Sequence, residues 1–213
     1  MREPLVSDER WPLRLAPYPG ELFSSWLVRL ARCYEMPIPM FCRAVWPERD
    51  VWCVDIDRQI EDEALHLLSR KTGVPYDELF SLTLRSHEQY TGTSEEEDTR
   101  NLYVRLSSTD YATRYCSVCL QEAEPYFRLE WRLAFVIVCP RHSVLLEERC
   151  PACLASCLFA KLDVQQPFGC CHNCHRRLID YDPNRPRLSG RQIEMQIAFQ
   201  ENLLRLFGRR PPE

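Results

Sequence analysis

The chain has 213 residues, a length suited to one or two small domains, with 45% hydrophobic and 27% charged side chains and a formal net charge of −4. Its longest apolar run, Leu133 to Cys139, is seven residues, far short of the ~20 needed to span a membrane. The acidic balance argues against a protein that coats nucleic acid unaided; it favours a partner protein as main ligand, with auxiliary DNA or RNA contacts confined to local patches.

Residues 1–17 are rich in proline and charge and read as an extended arm. Met1-Arg2-Glu3-Pro4-Leu5 is followed by charged residues and prolines rather than the apolar core of a signal peptide, so a reducing cytoplasm is expected. Pro19-Gly20 then precedes a helix. Leu22, Trp26 and Leu30 recur at i, i+4 and i+8, Phe23, Leu27 and Ala31 widen the stripe, and Pro37 ends it. Arg29 and Arg32 lie off that stripe, and Trp26 reads as the anchor of a small helical core. A shorter helix is expected over Met40 to Val45, closed by Pro47.

Between Asp57 and Leu84, Ile60, Ala64, Leu67 and Leu68 mark another helix, with Asp55 or Asp57 available as its cap. Gly73 occupies the left-handed position after it, and Val74-Pro75 opens a further helix through Tyr76, Leu79 and Phe80. Helix, glycine turn, helix is the outline of a DNA-binding helix-turn-helix. Asp77 and Glu78 at the start of the second helix would face phosphates badly, so plain helical packing is the expectation. Thr91 to Asp98 then carries a block of like charge without apolar residues and reads as a solvated spacer.

Cysteines dominate the stretch from Cys116 to Cys174. Cys116-x2-Cys119 is separated by nineteen residues from Cys139-x2-His142; seven residues later Cys150-x2-Cys153 is separated by seventeen from Cys171-x2-Cys174. A C-x2-C turn brings two thiolates to one metal from a single loop, and a second turn completes a tetrahedron. Tandem structural zinc sites are therefore expected, one with three cysteines and a histidine, one with four cysteines. Each has four protein ligands and no vacancy for water or substrate. Cys170 could replace Cys171, and His172 or His175 could compete; Cys171 is preferred because its spacing repeats that of the other pairs. Cys33 and Cys42 read as buried thiols in helices, Cys53 has no partner nearby in sequence and no role, Cys157 like Cys170 lies nearer the metal and stays ambiguous, and no His-Glu-x-x-His or deaminase signature points to an enzyme.

Inside the first zinc module, Pro125-Tyr126-Phe127-Arg128-Leu129-Glu130-Trp131-Arg132-Leu133 combines three aromatics with two arginines. Phe127 and Trp131 are expected to pack against zinc knuckles, which bury little core themselves. Arg128 and Arg132 stay open between packing and phosphate contact. Short strands are expected from Phe135 to Val138 and from Val144 to Glu148, flanking the Cys139-Pro140-Arg141-His142 turn. In the tail, Ser189 and Gln192 resemble a capping box, and Ile193, Ile197, Leu204 and Phe207 form an apolar stripe ended by Gly208. That helix could fold back on the body or supply a contact to a partner or a second copy.

The fold expected is mainly α with small zinc-ribbon or knuckle β elements. An arm (1–17) leads to a helix-turn-helix-like N-terminal helical domain (18–88), an acidic linker and connector (89–113), tandem zinc-binding modules (114–182) and a tail helix (183–213).

Two stretches together resemble the TniQ family. One is Pro19-Gly20-Glu21-Leu22-Phe23-Ser24-Ser25-Trp26-Leu27-Val28-Arg29-Leu30-Ala31. The other runs from Tyr115-Cys116-Ser117-Val118-Cys119-Leu120 through Pro125-Tyr126-Phe127-Arg128, Trp131-Arg132-Leu133 and Cys139-Pro140-Arg141-His142 to Cys150-Pro151-Ala152-Cys153. The resemblance extends over most of residues 13–181 and excludes the tail. It implies a non-enzymatic accessory of DNA transposition in the bacterial cytoplasm, associated with the nucleoid when active. It implies partners: a TnsC- or TniB-like AAA+ ATPase, a target selector that in some elements is an RNA-guided CRISPR effector, and through the ATPase a transposase. It also carries zinc ligation onto Cys116, Cys119, Cys139 and His142, and onto Cys150, Cys153, Cys171 and Cys174. Longer relatives carry an additional helix-turn-helix that one tail helix cannot supply, which favours an adaptor over an independent reader of DNA. The alternative is a zinc-ribbon regulator that binds a specific DNA or RNA sequence.

Overall fold

The computed structural model describes residues 10–47, 54–86, 103, 113–158, 161–162, 164–179 and 188–206. Cys53, the acidic stretch 91–98, Phe207 and Gly208 lie outside the described residues. Six helices are described: α1 (Phe23–Cys33), α2 (Ile38–Val45), α3 (Ile56–Gln59), α4 (Asp62–Thr72), α5 (Tyr76–Ser81) and α6 (Gly190–Leu206). A two-stranded antiparallel ribbon, β1 (Val138–Cys139) and β2 (Val144–Leu145), pairs Val138 with Leu145 and Cys139 with Val144. No described helix is long and apolar enough to cross a membrane.

α1 lies at the centre. Phe23 through Val28, then Leu30 and Ala31, are all buried, so the helix is covered nearly all round, as a central helix must be. Burying Ser24 and Ser25 requires partners for their hydroxyls. Ser24 donates its N–H and its Oγ–H to the two oxygens of Asp57 at 2.8 and 2.9 Å, and Ser25 donates to Glu21 at 2.9 Å. Glu21 is itself buried and ion-paired with Arg29; burial raises its carboxyl above the usual range. Asp55 and Asp57 precede and open α3 without capping it through a side chain. Their carboxylates turn inward instead, a use that a capping rule does not anticipate.

α4 ends as expected. Gly73 sits at φ 78° and donates to the Ser69 carbonyl at 2.8 Å, a backbone that only glycine adopts without strain. α5 follows with Asp77 and Glu78 in its first turn. α2 starts at Ile38, two residues before the expected Met40. Cys42 is buried, but Cys33, at the last turn of α1, is exposed; the apolar stripe has rotated away from it. The strands are two residues each, shorter than expected: they flank the knuckle turn, and beyond Val138 and Leu145 the pairing continues only as the Leu146 N–H to Ile137 carbonyl bond at 2.9 Å.

α6 begins with the capping box: the Ser189 N–H donates to the Gln192 side chain at 2.9 Å, and the Gln192 N–H reaches Ser189 Oγ at 3.4 Å. Its inward face is set by glutamines as much as by apolar residues. Gln200 is buried, donates to the Val138 carbonyl at 2.7 Å and accepts the Val138 N–H at 3.4 Å, while Gln196 donates to the Phe135 carbonyl at 3.0 Å. One side chain thus completes the outward edge of β1 as a neighbouring strand would. Gln200→Ala leaves both Val138 groups without that partner, and the expected loss is about 1–3 kcal/mol. Amide exchange at Val138 should accelerate along with the drop in melting temperature.

Candidate metal centres and the surface they hold

The two cysteine-rich halves fold as four knuckles. In three of them the residue after the second ligand takes a left-handed conformation and donates its N–H back to the carbonyl of the first ligand. These are Ser143 (φ 54°) to Cys139 at 2.8 Å, Leu154 (φ 60°) to Cys150 at 2.9 Å, and His175 (φ 60°) to Cys171 at 3.0 Å. Three of the four described non-glycine residues with positive φ occupy this one position. Such backbone is held only where surroundings dictate it, and a turn that points two side-chain donors, two sulfurs or a sulfur and an imidazole, at a common centre is such a constraint. The Cys116 knuckle makes the same bond, Leu120 donating to the Cys116 carbonyl at 3.1 Å, but without the left-handed residue, because the chain continues as a 3₁₀ turn over Cys119–Gln121.

These turns gather Cys116, Cys119, Cys139 and His142 into one group, and Cys150, Cys153, Cys171 and Cys174 into another, the ligand atoms of each group lying within 4.8 Å of one another. Cys170 is buried but stands outside the second group, and His175 serves through its backbone. Distances decide what the groups suit. A tetrahedron with Zn–S of about 2.3 Å and Zn–N of about 2.05 Å places sulfurs ~3.8 Å apart and sulfur ~3.6 Å from nitrogen. Here Cys119 and Cys139 sulfurs are 3.7 Å apart, Cys150 and Cys174 3.6 Å, and Cys153 and Cys171 3.6 Å. His142 Nδ1 lies 3.5, 3.3 and 3.6 Å from the sulfurs of Cys116, Cys119 and Cys139. Disulfides would need ~2.05 Å. The two clusters are compatible with two structural zinc ions.

Electrostatics favour a cation at the same two places. Without one, hydrogen bonding among the sulfurs, then burial, pushes the Cys116 and Cys139 thiols up to about 11. In the second cluster burial pushes Cys150 up to about 12, whereas the Asn173 side chain holds Cys153 at about 6. Crowding unscreened thiolates is unfavourable, and a divalent cation reverses the sign. Buried Cys157 is pushed up by desolvation, then by the charges of Cys171 and Cys150; it stands beside the second cluster outside its four ligands.

Around the first cluster the segment 125–133 is wedged against α1. Leu22 donates to the Phe127 carbonyl and Leu129 to the Gly20 carbonyl, both at 2.9 Å, and Phe127 donates to Ser25 Oγ at 3.1 Å. Tyr18 and Tyr126 stack with centroids 4.9 Å apart, Arg29 covers Tyr18 at 3.8 Å, and Arg128 covers Tyr126 at 4.7 Å. Phe127 and Trp131 are fully buried and meet edge-to-face at 6.0 Å. Phe127→Ala is expected to cost about 3–5 kcal/mol, read as a lowered denaturation midpoint with unchanged slope.

Of the two arginines in that segment, Arg132 serves packing. It is fully buried and reaches Asp55 at 2.6 Å and Asp57 at 2.9 Å. Burial, opposed by Arg132 and reinforced by the Asp55 charge, pushes the Asp57 carboxyl up to about 6. Sequence reasoning named Arg132 but missed both carboxylates; a charged residue followed by Leu133-Ala134-Phe135-Val136 was the available signal that an acid must wait in the core.

A family profile, TniQ, matches residues 12–146, well over half of the chain. The chain belongs to the TniQ family. No curated protein matches it. The matched region holds α1 to α5, the 125–133 wedge and the whole first cluster, and stops before Cys150. TniQ is a family of transposition-associated, non-catalytic adaptors, so membership assigns the chain to transposition. The two stretches that resemble TniQ, far apart in sequence, are packing partners in the fold: Gly20 and Leu22 of one bond directly to Leu129 and Phe127 of the other.

Proposed function

We propose that this TniQ chain is a non-enzymatic adaptor that links a target-site selector to a TnsC- or TniB-like AAA+ ATPase, and through it to the transposase. Cys116, Cys119, Cys139 and His142 hold one zinc ion and Cys150, Cys153, Cys171 and Cys174 a second; the ions fix the shape of a docking surface. The observation that carries this reading is family membership combined with two four-ligand groups that leave no open coordination position for chemistry. Exposed Val118 and Leu154, on two of the knuckle loops, give such a surface apolar contacts. The selector is an RNA-guided CRISPR effector or another targeting protein, and the site of action is the bacterial nucleoid.

Co-purification with the neighbouring AAA+ ATPase, with and without ATP and DNA, tests the link. Retention of the ATPase on the immobilised chain supports it, and absence of retention under every condition contradicts it. A regulator that reads a specific nucleic-acid sequence is the rival. The acidic first turn of α5 opposes that reading, and tight, sequence-selective binding of duplex DNA by the isolated chain at physiological salt would establish it instead.

A further inference from the structure

His142 turns Nδ1 toward the three sulfurs of its cluster, which leaves Nε2 on the outer side of the ring. That atom faces Glu122, whose Oε1 lies 3.6 Å away. Glu122 does not stand alone. Arg141 Nη1 holds both its oxygens, Oε1 at 3.0 Å and Oε2 at 3.1 Å. Its backbone is fixed by the first knuckle, where the Glu122 N–H donates to the Cys119 carbonyl at 3.2 Å. Glu122 therefore belongs to the Cys116–Cys119 knuckle, whereas Arg141 and His142 belong to the Cys139–His142 knuckle. The three side chains join the two halves of one cluster by a route that does not pass through the ligand atoms.

We propose that Glu122 is a positioning residue for the metal ligand His142, held in place by Arg141; this rests on reading the cluster as a zinc site. Coordination at Nδ1 would leave Nε2 carrying the ring proton, and the Glu122 carboxylate stands on that side of the ring. The carboxylate fixes the tautomer and ring orientation and makes the imidazole a better donor. The separation of 3.6 Å is just beyond hydrogen-bond reach, so in this structure the carboxylate acts on the ring through its charge and position. Arg141 has a second task. A site with three thiolates on a divalent ion is already negative by one unit, and a bare carboxylate beside it would add to that; the guanidinium offsets the added charge. All three side chains are partly exposed, so the effect belongs to ligand geometry and metal retention rather than to burial.

The second cluster supplies an internal control, since none of these three side chains contributes to it. The zinc-loaded full chain and its Glu122→Ala and Glu122→Gln variants are mixed with the chromophoric chelator 4-(2-pyridylazo)resorcinol, and zinc transfer is followed in time. Glu122→Ala is expected to release one zinc per chain about 10–100-fold faster than the parent, with the other zinc unchanged. Glu122→Gln, which keeps an acceptor oxygen, should recover part of that difference. A knuckle that merely lost a surface residue would shift melting without separating the two release phases. A parent that carries two zinc ions and releases both at the same rates as Glu122→Ala would overturn this inference alone. A parent that binds no zinc at the Cys116–His142 cluster would overturn the metal reading and this inference with it.

Discussion

Cys139→Ser should leave the purified chain without its first zinc and without a cooperative melting transition. Zinc at structural sites binds with an apparent free energy of about 10–16 kcal/mol, which matches or exceeds the ~5–15 kcal/mol by which whole domains are stable. Cys139 is also fully buried and lies in β1, one residue from the Val138 groups that receive Gln200. The apolar core is one continuous cluster that includes Trp26 of α1, Phe127 and Trp131 of the wedge, and Cys139 itself. Loss of the first site therefore reaches the helices. Cys174→Ser serves as the comparison, because Cys174 is only half buried at the edge of that core. That variant should retain one zinc and a cooperative, lower transition. Circular dichroism melts with metal analysis on both proteins check the pair, and equal, mild effects from the two substitutions would refute the ranking.

Arg132→Met carries the second large effect. It leaves Asp55 and Asp57 buried without their cation, and breaking a buried pair from one side costs about 3–5 kcal/mol. For a chain of this size that corresponds to a fall in melting temperature of about 10 °C. Adding Asp55→Asn and Asp57→Asn to Arg132→Met removes the stranded charges, while the amide at 57 still accepts from Ser24. The triple variant should recover most of the loss, a non-additivity that only a coupled network produces. Simple addition of the single effects would show that Arg132 acts through packing alone.

The spacing that gathers these eight cysteine and histidine side chains into two groups was legible in the sequence, because a tetrahedral site requires two C-x2-C or C-x2-H turns to meet, whatever the fold between them. α1 and the Gly73 turn were legible because each rests on local physics, a 3.6-residue period and a left-handed backbone. The long-range partners were not. Asp55 and Asp57 looked like helix caps because capping is judged from the neighbouring few residues, whereas their partner Arg132 lies 77 and 75 residues away. Gln196 and Gln200 interrupt the apolar stripe of α6 and gave no sign that a strand edge awaited them. Cys33 was expected to be buried from its place in an apolar helix, but the helix face decides exposure, and Cys33 is on the outer one. Residues that answer to a distant backbone group carry no local pattern, and the structure was needed to pair them.

If two closed zinc sites shape this chain, native mass spectrometry of the purified protein combined with zinc-edge X-ray absorption will detect both. The expected result is two zinc ions per chain, with seven sulfurs and one imidazole nitrogen shared between them and no oxygen ligand. Fewer than two zinc ions, or a water coordinated to either of them, would contradict it.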